Sequence, residues 1–408
     1  MITTEEALRR LFHLIRPIDD IETVPLIEAV GRVLAKPVVS NRNQPPFAVS
    51  AMDGFAVRDG DAVKDACLEI IGESAAGRGC NQTVRAGQAV RIFTGAPVPS
   101  GADRIVLQED ARMEDGEVTI TGAPGSTPHI RATGIDFCVG AEIPPRQILK
   151  ADLISLIAAM NVATVDIVRR PEVAIIATGN ELRMPGHSSG ADDIIASSIF
   201  GLAALLKLAG AVPHILPIAQ DNLSSLQNCL EMAHAADLIV TLGGASVGDH
   251  DLVIPAAREM GFELAFHKVA MRPGKPVFAA SSRNGQPLVG LPGNPVSAMV
   301  CSRILLWPAI GALRHLGQHP VQKRKARLAT AVTSNGPREH FMRAAWQHRR
   351  TSDPPLEIFG QQDSSLVSVM AQADALVVRP PFDPDRAAGD WVEYIDLRSP
   401  LDTYYEQL

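Results

Sequence analysis

Three glycine-bearing stretches, a set of acids and one basic turn are where this sequence could do chemistry. ATGNEL carries Glu181; LGGASVGDHD carries Gly243, Gly244, Ser246, Gly248, Asp249 and Asp251; GLPGNP carries Pro292, Gly293, Asn294 and Pro295. Asp221 follows a further strand-like run. Carboxylates gathered at one edge repel one another unless a cation lies among them, and hard oxygen ligands suit Mg²⁺. Glu181, Asp221, Asp249 and Asp251 are the acids that such an edge would gather, and a divalent metal among them is implied. Glycines let the backbone approach an anion, and a helix N-terminus behind them favours negative charge, so the Gly243–Gly244 loop reads as a phosphate cradle. Around MRPGKP, Lys268, Arg272 and Lys275 offer donors to phosphate or another tetrahedral oxyanion, Arg272 as a two-pronged fork. The combination points to a phosphorylated ligand with Mg²⁺.

Each piece taken singly has a plainer reading. Asp221 and Asp251 could cap helices, the Gly-Gly loop could be strand-to-helix geometry, the basic turn could be a solvated surface, and Pro292 and Pro295 could shape a connection. Neither GxGxxG nor GxxxxGK followed by Ser or Thr is present, so neither a dinucleotide fingerprint nor a P-loop supports the idea. What favours it is convergence: in an open parallel sheet the loops after the carboxyl ends of the strands form the ligand crevice. His250 is the histidine beside the acids and receives no role. Cys301, inside an apolar run, reads as packed rather than nucleophilic.

The elements that must position these groups follow from pattern. Thr3 with Glu6 makes a capping box, and Leu8, Leu11, Phe12 and Ile15 continue at helical spacing until Pro17. A second helical pattern covers Asp152 to Met160. Between Asn41 and Thr133 the texture is short β-type runs (68–71, 89–93, 104–107, 117–120) punctuated by Gly, Pro and Asp. From Pro171 strands and helices alternate: strands 173–177, 214–218, 238–242, 264–269, 277–280 and 288–291, with helices 195–209, 223–235, one from Asp251 and one from Pro295. This predicts βαβ units and a mostly parallel, doubly wound sheet. After Pro320 five strand-like runs predict a small all-β domain of barrel type. The expected organisation is a discontinuous linking domain of helical and mixed character (1–40 and 134–170), a β-rich insertion (41–133), an α/β domain (171–320) and a C-terminal β domain (321–408).

The chain has 408 residues, 46% hydrophobic and 20% charged, with a net charge of −7 and mean hydropathy of +0.09. That length predicts several domains and excludes global disorder, and the acidic balance argues against nucleic acid or an anionic membrane surface as partner. Five scattered cysteines without CxxC spacing suggest neither a disulfide framework nor a zinc site. The apolar stretch Ser297 to Leu313, broken by Arg303 and Pro308, reads as a buried helix too short to span a bilayer. The start MITTEEALRR lacks the pattern of a signal peptide, so a cytoplasmic protein is expected.

The stretches PPFAVSAMDGFAVR, FTGAPVPSGAD, TGNEL, GGASVGDHD, RPGKP and GLPGNPVSA resemble, in order and spacing over nearly the whole chain, the molybdopterin molybdenumtransferases, the family of MoeA and of the E domain of gephyrin. The resemblance implies a four-domain homodimer that transfers molybdenum from molybdate to adenylyl-molybdopterin, with Mg²⁺ needed and AMP released. It implies a molybdopterin adenylyltransferase as upstream donor and molybdoenzyme apoproteins or chaperones downstream. By resemblance Glu181, Asp221 and Asp251 match the acidic positions, and Lys268, Arg272 and Lys275 the basic ones around phosphate and molybdate. Asp53 and Thr94 match positions that reach the partner subunit's cleft, and Asp136 a further acid there. The sequence departs from the family's pattern at Asn180, Ala196, Ser198, Asp363 and Ser365, which also leaves room for a specialised or non-catalytic scaffold paralogue.

Overall fold

The computed structural model describes residues 1–123, 125–186, 190–244, 252–347 and 354–398. Its central element is a six-stranded sheet in the order Val212–Ile215, Glu172–Ala177, Leu238–Leu242, Pro287–Leu291, Phe278–Ser281, Glu263–His267. The first four strands run parallel, and the last two pairings are antiparallel. The change of direction has a local cause: the short 282–286 connection makes a hairpin, whereas a parallel neighbour needs a crossover.

Strand Glu172–Ala177 shows why these runs are nearly continuously apolar. Val173, Ile175 and Ala177 face one core with helices Thr4–Leu14, Ser197–Leu208 and the 295–313 run. Ala174 and Ile176 face another with helices Leu223–Met232 and Val253–Glu259. A sheet buried on both faces leaves no polar side to alternate with.

The 295–313 run is one helical rod with a π-type turn at Ser302–Leu306 between Pro295–Cys301 and Trp307–Leu313. Its 19 residues are long and apolar enough to pass for a membrane span, and 94% of its most apolar window is buried inside the fold. Length therefore does not distinguish it, contrary to expectation; its burial against the sheet does.

Elsewhere, the strands between Gly54 and Ile120 form a separate six-stranded sheet with its own cores. Among the described residues these strands pack chiefly on one another. Residues 1–40 and 134–170 join through strand Ile21–Pro25, paired antiparallel with Thr164–Val168, and Val38–Val39, paired with Glu142–Ile143. Sequence pattern missed both pairings, because they are short and join segments more than 100 residues apart.

In the C-terminal segment, strands Arg324–Arg327, Glu339–Trp346, Leu356–Ile358, Ala375–Arg379 and Trp391–Asp396 pair in a path that the Leu328–Leu356 bridge closes on itself. It is not all β: Val367–Gln372 is a helix of six residues, too short for a helical apolar period to show in the sequence.

Candidate functional site

At the carboxyl edge of the parallel strands, the first loop is stapled to the second. Gly179 N–H donates to the Ala219 carbonyl (3.1 Å), Asn180 N–H to Asp221 Oδ2 (3.1 Å), and Asp221 N–H to Asn180 Oδ1 (3.1 Å). Asp221 is thus held in a reciprocal pair with Asn180, and the helix cap is its neighbour Asn222, whose side chain accepts from Ser225 N–H. The Glu181 carboxylate folds back over the Gly179 backbone, where a Cβ would lie 2.5 Å from Oε2.

The next two loops press on the first. A Cβ on Gly243, whose φ is +97°, would stand 2.8 Å from both the Thr178 carbonyl and its hydroxyl. Gly293 faces the Gly243 Cα at 3.5 Å from its own would-be Cβ. Only glycine fits at Gly243, on both conformational and steric grounds. Ser246, Gly248, Asp249, His250 and Asp251 lie outside the described residues. The metal set is therefore represented by Glu181 and Asp221, and among the described residues no group of three His, Cys, Asp or Glu side chains could hold a metal ion. Two hard, solvent-reachable carboxylates on adjoining loops nevertheless have the chemistry of a Mg²⁺ site, since that ion keeps several waters of its own.

The GLPGNP loop leads into helix Pro295–Cys301, with Asn294 as its N-cap residue and Pro at its first turn. The Asn294 side chain makes no cap bond to the helix. Its Nδ2 donates to Ser364 Oγ (2.9 Å), and Val296 N–H donates to the Ser364 carbonyl (3.1 Å). Ser364 is placed by Arg343 and Gln362 of the barrel: Arg343 Nη1 donates to the Asp363 carbonyl (2.7 Å), and its Nε donates to Gln362 Oε1 (3.1 Å). Asp363 and Ser365 pair with each other, Ser365 N–H and Oγ both donating to Asp363 Oδ1. Sequence reading missed Arg343, Gln362 and Ser364. A single arginine in FMRAAW looks like the polar side of a strand, and only burial reveals it as a strut.

The basic turn bridges two units. Met271–Arg272 is a strand of the barrel's sheet, parallel to Glu339–His340, while Gly274 lies on Cys301 of the helix, leaving 2.2 Å between a would-be Cβ and Sγ. Cys301 is fully buried and its thiol is pushed up by desolvation, in keeping with a packing role. Lys268 is half-buried with φ +69°, and Arg272 and Lys275 are exposed.

His340 stands across from Arg272. Burial, then the charges of Arg272, Arg343, Arg338 and Arg379, pull its pKa from near 6.5 down to about 4. A histidine shifted this way is neutral in the folded protein, and the unfolded chain takes up the proton first. Its contribution is present above pH 6.5 and lost as pH falls from 6.5 towards 4. His340→Gln is therefore expected to flatten the decline of stability over that window. Urea unfolding at pH 7 and pH 4.5 checks this, and equal slopes for variant and parent would exclude His340 as the source.

Asp53 and Thr94 come together in the distal sheet: Thr94 N–H and Oγ1 both donate to Asp53 Oδ1, at 2.7 and 2.8 Å. These bonds, with the charge of Arg91 nearby, hold the Asp53 carboxyl below the usual carboxylate range. The Arg91 guanidinium lies over the rings of Phe55 and Phe93, at 4.8 and 5.1 Å. Asp136 is exposed on the 134–140 segment, its N–H donating to the Gln44 carbonyl. No described contact brings Asp53, Thr94 or Asp136 to Glu181 or Asp221.

Residues 2–161 match the MoeA N-terminal region (domain I and II), 174–312 the probable molybdopterin binding domain, and 325–397 the MoeA C-terminal region (domain IV). The chain is 35% identical to the molybdopterin molybdenumtransferase of Nostoc sp., covering 93% of this chain and 90% of that one. The chain belongs to the molybdopterin molybdenumtransferase family. It is also 30% identical to the Haemophilus influenzae enzyme of that name, over 93% and 94% of the two chains. The crystal structure of the molybdopterin biosynthesis MoeA protein from Pyrococcus horikoshii superposes with a TM-score of 0.81 at 28% identity, covering 98% of this chain and all of that one. A molybdenumtransferase-type fold of mixed α/β sheet, β-rich unit and C-terminal β domain is thereby established, and with it the transferase class and a place in molybdenum cofactor biosynthesis.

Proposed function

We propose that this chain inserts molybdenum from molybdate into adenylyl-molybdopterin in the cytoplasm, as a Mg²⁺-dependent homodimer that releases AMP. The observation that carries this reading is that GLPGNP and RPGKP rest on one helix. Asn294 heads Pro295–Cys301, and Gly274 lies on Cys301 near its end. A rigid element shared by an anion cradle and a basic turn suits a reaction in which a phosphoanhydride and an oxyanion must be held together, because fixed geometry supplies much of the rate.

In this reading the backbone at Gly243, Gly244 and Gly293, with Ser246, Pro292, Asn294 and Pro295, accommodates the phosphates. Lys268, Arg272 and Lys275 bind molybdate, Arg272 by its fork. Glu181, Asp221 and Asp251 would hold Mg²⁺, which when bound draws negative charge from the phosphate oxygens. Asp53, Thr94 and Asp136 complete the cleft from the second chain. An adenylyltransferase supplies the substrate, and molybdoenzyme apoproteins or their chaperones receive the product.

The test is direct. Purified protein given adenylyl-molybdopterin, molybdate and Mg²⁺ is expected to release AMP and to yield cofactor that activates an apo-molybdoenzyme. AMP release that ignores molybdate, or none at all, would overturn the reading and favour a cofactor-binding scaffold.

A further inference from the structure

Three neighbouring strands set three basic residues in one row. Met271–Arg272 pairs with Glu339–Trp346, which pairs with Ala375–Arg379, and the registers place Arg272 against His340 and His340 against Arg379. Residues in register on adjoining strands share a face of the sheet. Like charges set side by side repel, so each needs an answering group. Arg379, 1% exposed, has one: it pairs with Asp383, which also accepts from Arg386 (2.6 Å), and it donates to the Pro384 carbonyl (2.7 Å).

The rest of the row is not answered in this way. Arg272 and Arg338 make no side-chain hydrogen bond or ion pair among the described residues. Glu339, the acid beside His340, is held by Lys323 at 3.2 Å. Arg343, buried, donates to Gln362 Oε1 and the Asp363 carbonyl, both neutral. His340 is 6% exposed, and neither of its ring nitrogens has a hydrogen-bond partner among the described residues, whereas a buried imidazole ordinarily finds one. The charges acting on the ring are those of Arg272, Arg343, Arg338 and Arg379, all of one sign. Such a set of donors suits an anion.

We infer that Arg272, Arg338 and His340 seat a tetrahedral oxyanion, and that the oxyanion is captured together with a proton taken from water onto His340. The inference rests on the reading of Arg272 as a molybdate ligand, and it adds the barrel's half of the seat and the proton. A tetrahedral oxyanion fits because two guanidinium forks and an imidazole call for more acceptor oxygens than a carboxylate offers. Burial and the arginine charges hold the His340 pKa at about 4; a dianion beside the ring favours the imidazolium and returns it towards 6.5. Binding therefore takes up a proton between pH 4 and pH 6.5, and it tightens as pH falls into that window.

Calorimetric titration of the intact protein with molybdate, kept micromolar so that it stays monomeric, tests this without turnover. Affinity is expected to rise roughly tenfold from about pH 7.5 to about pH 5.5, with about one proton taken up, counted from the heats in two buffers of different ionisation enthalpy. His340→Gln keeps a donor but cannot hold the proton, so its affinity should be the same at both pH values. Arg338→Gln should weaken binding roughly tenfold at both. Urea unfolding checks that the variants are folded. Molybdate binding that ignores pH and takes up no proton would overturn the inference, as would unchanged pH dependence in His340→Gln, unchanged affinity in Arg338→Gln, or no binding at all. Molybdate-dependent AMP release alongside any of these results would leave the reaction standing and remove the seat alone.

Discussion

Gly274→Ala is expected to cost about 3 kcal/mol of stability and to cut molybdate use by roughly a hundredfold. Two effects add. The φ of +110° lies where an L-residue pays about 1–2 kcal/mol, and the new Cβ would sit 2.2 Å from Cys301 Sγ, an overpacking that costs about 1–3 kcal/mol. The turn cannot retreat sideways. Met271 Sδ is 3.2 Å from the same point, and Arg272 is tied to the barrel through its register with His340. Relief therefore displaces the turn that carries Arg272 and Lys275, and a displacement of about 1 Å is enough for a loss near a hundredfold. Gly31→Ala is the control, since its φ is +74° with nothing within 4 Å, so only the conformational part applies. Cys301→Ala added to Gly274→Ala is expected to return the steric part and much of the molybdate KM. Urea unfolding and molybdate titration check both; a Gly274→Ala chain no worse than Gly31→Ala would show the turn is not clamped.

How much of this was legible beforehand differs by kind of residue. The α/β sheet was read almost strand for strand, because strands buried on both faces announce themselves as apolar runs such as EVAIIA and LIVTL. The site's glycines were equally visible, as close loop approach leaves no other residue type. What escaped were groups whose role comes from distant partners. Gln362 looks like a loop glutamine, yet its amide donates to the Arg343 and Phe359 carbonyls and its oxygen accepts from Arg343. Ser364 meets the helix at Asn294 across 70 residues of sequence. The parallel pairing of Arg272 with His340 has no local signature either. The departure at Asn180 gains a physical sense: its carbonyl oxygen accepts from Asp221 N–H, a role an aspartate oxygen could also fill, so what the amide removes is one negative charge beside Asp221.

Mixing Asp53→Ala chains with Glu181→Ala chains is expected to restore activity that neither has alone. Each parent lacks one half of every site if the two residues come from different chains. After dissociation and random reassociation at equal amounts, about half the dimers are mixed under two-fold symmetry. In each mixed dimer one site draws intact Asp53 and intact Glu181, while the other draws both defects. Total AMP release should then reach roughly a quarter of wild type, with independent sites. Asp53 suits this test because its bonds to Thr94 are local, so removing the carboxylate leaves the distal sheet's strand pairing in place. Glu181 suits it too: its backbone carbonyl, which accepts from Ile194 N–H, keeps the loop stapled whatever the side chain. Were both residues supplied by one chain, every site in the mixture would carry a defect. Activity would stay at the parents' level although mass measurement showed mixed dimers, and the shared site would have to be abandoned with the Asn180–Asp221 staple and the basic turn left standing.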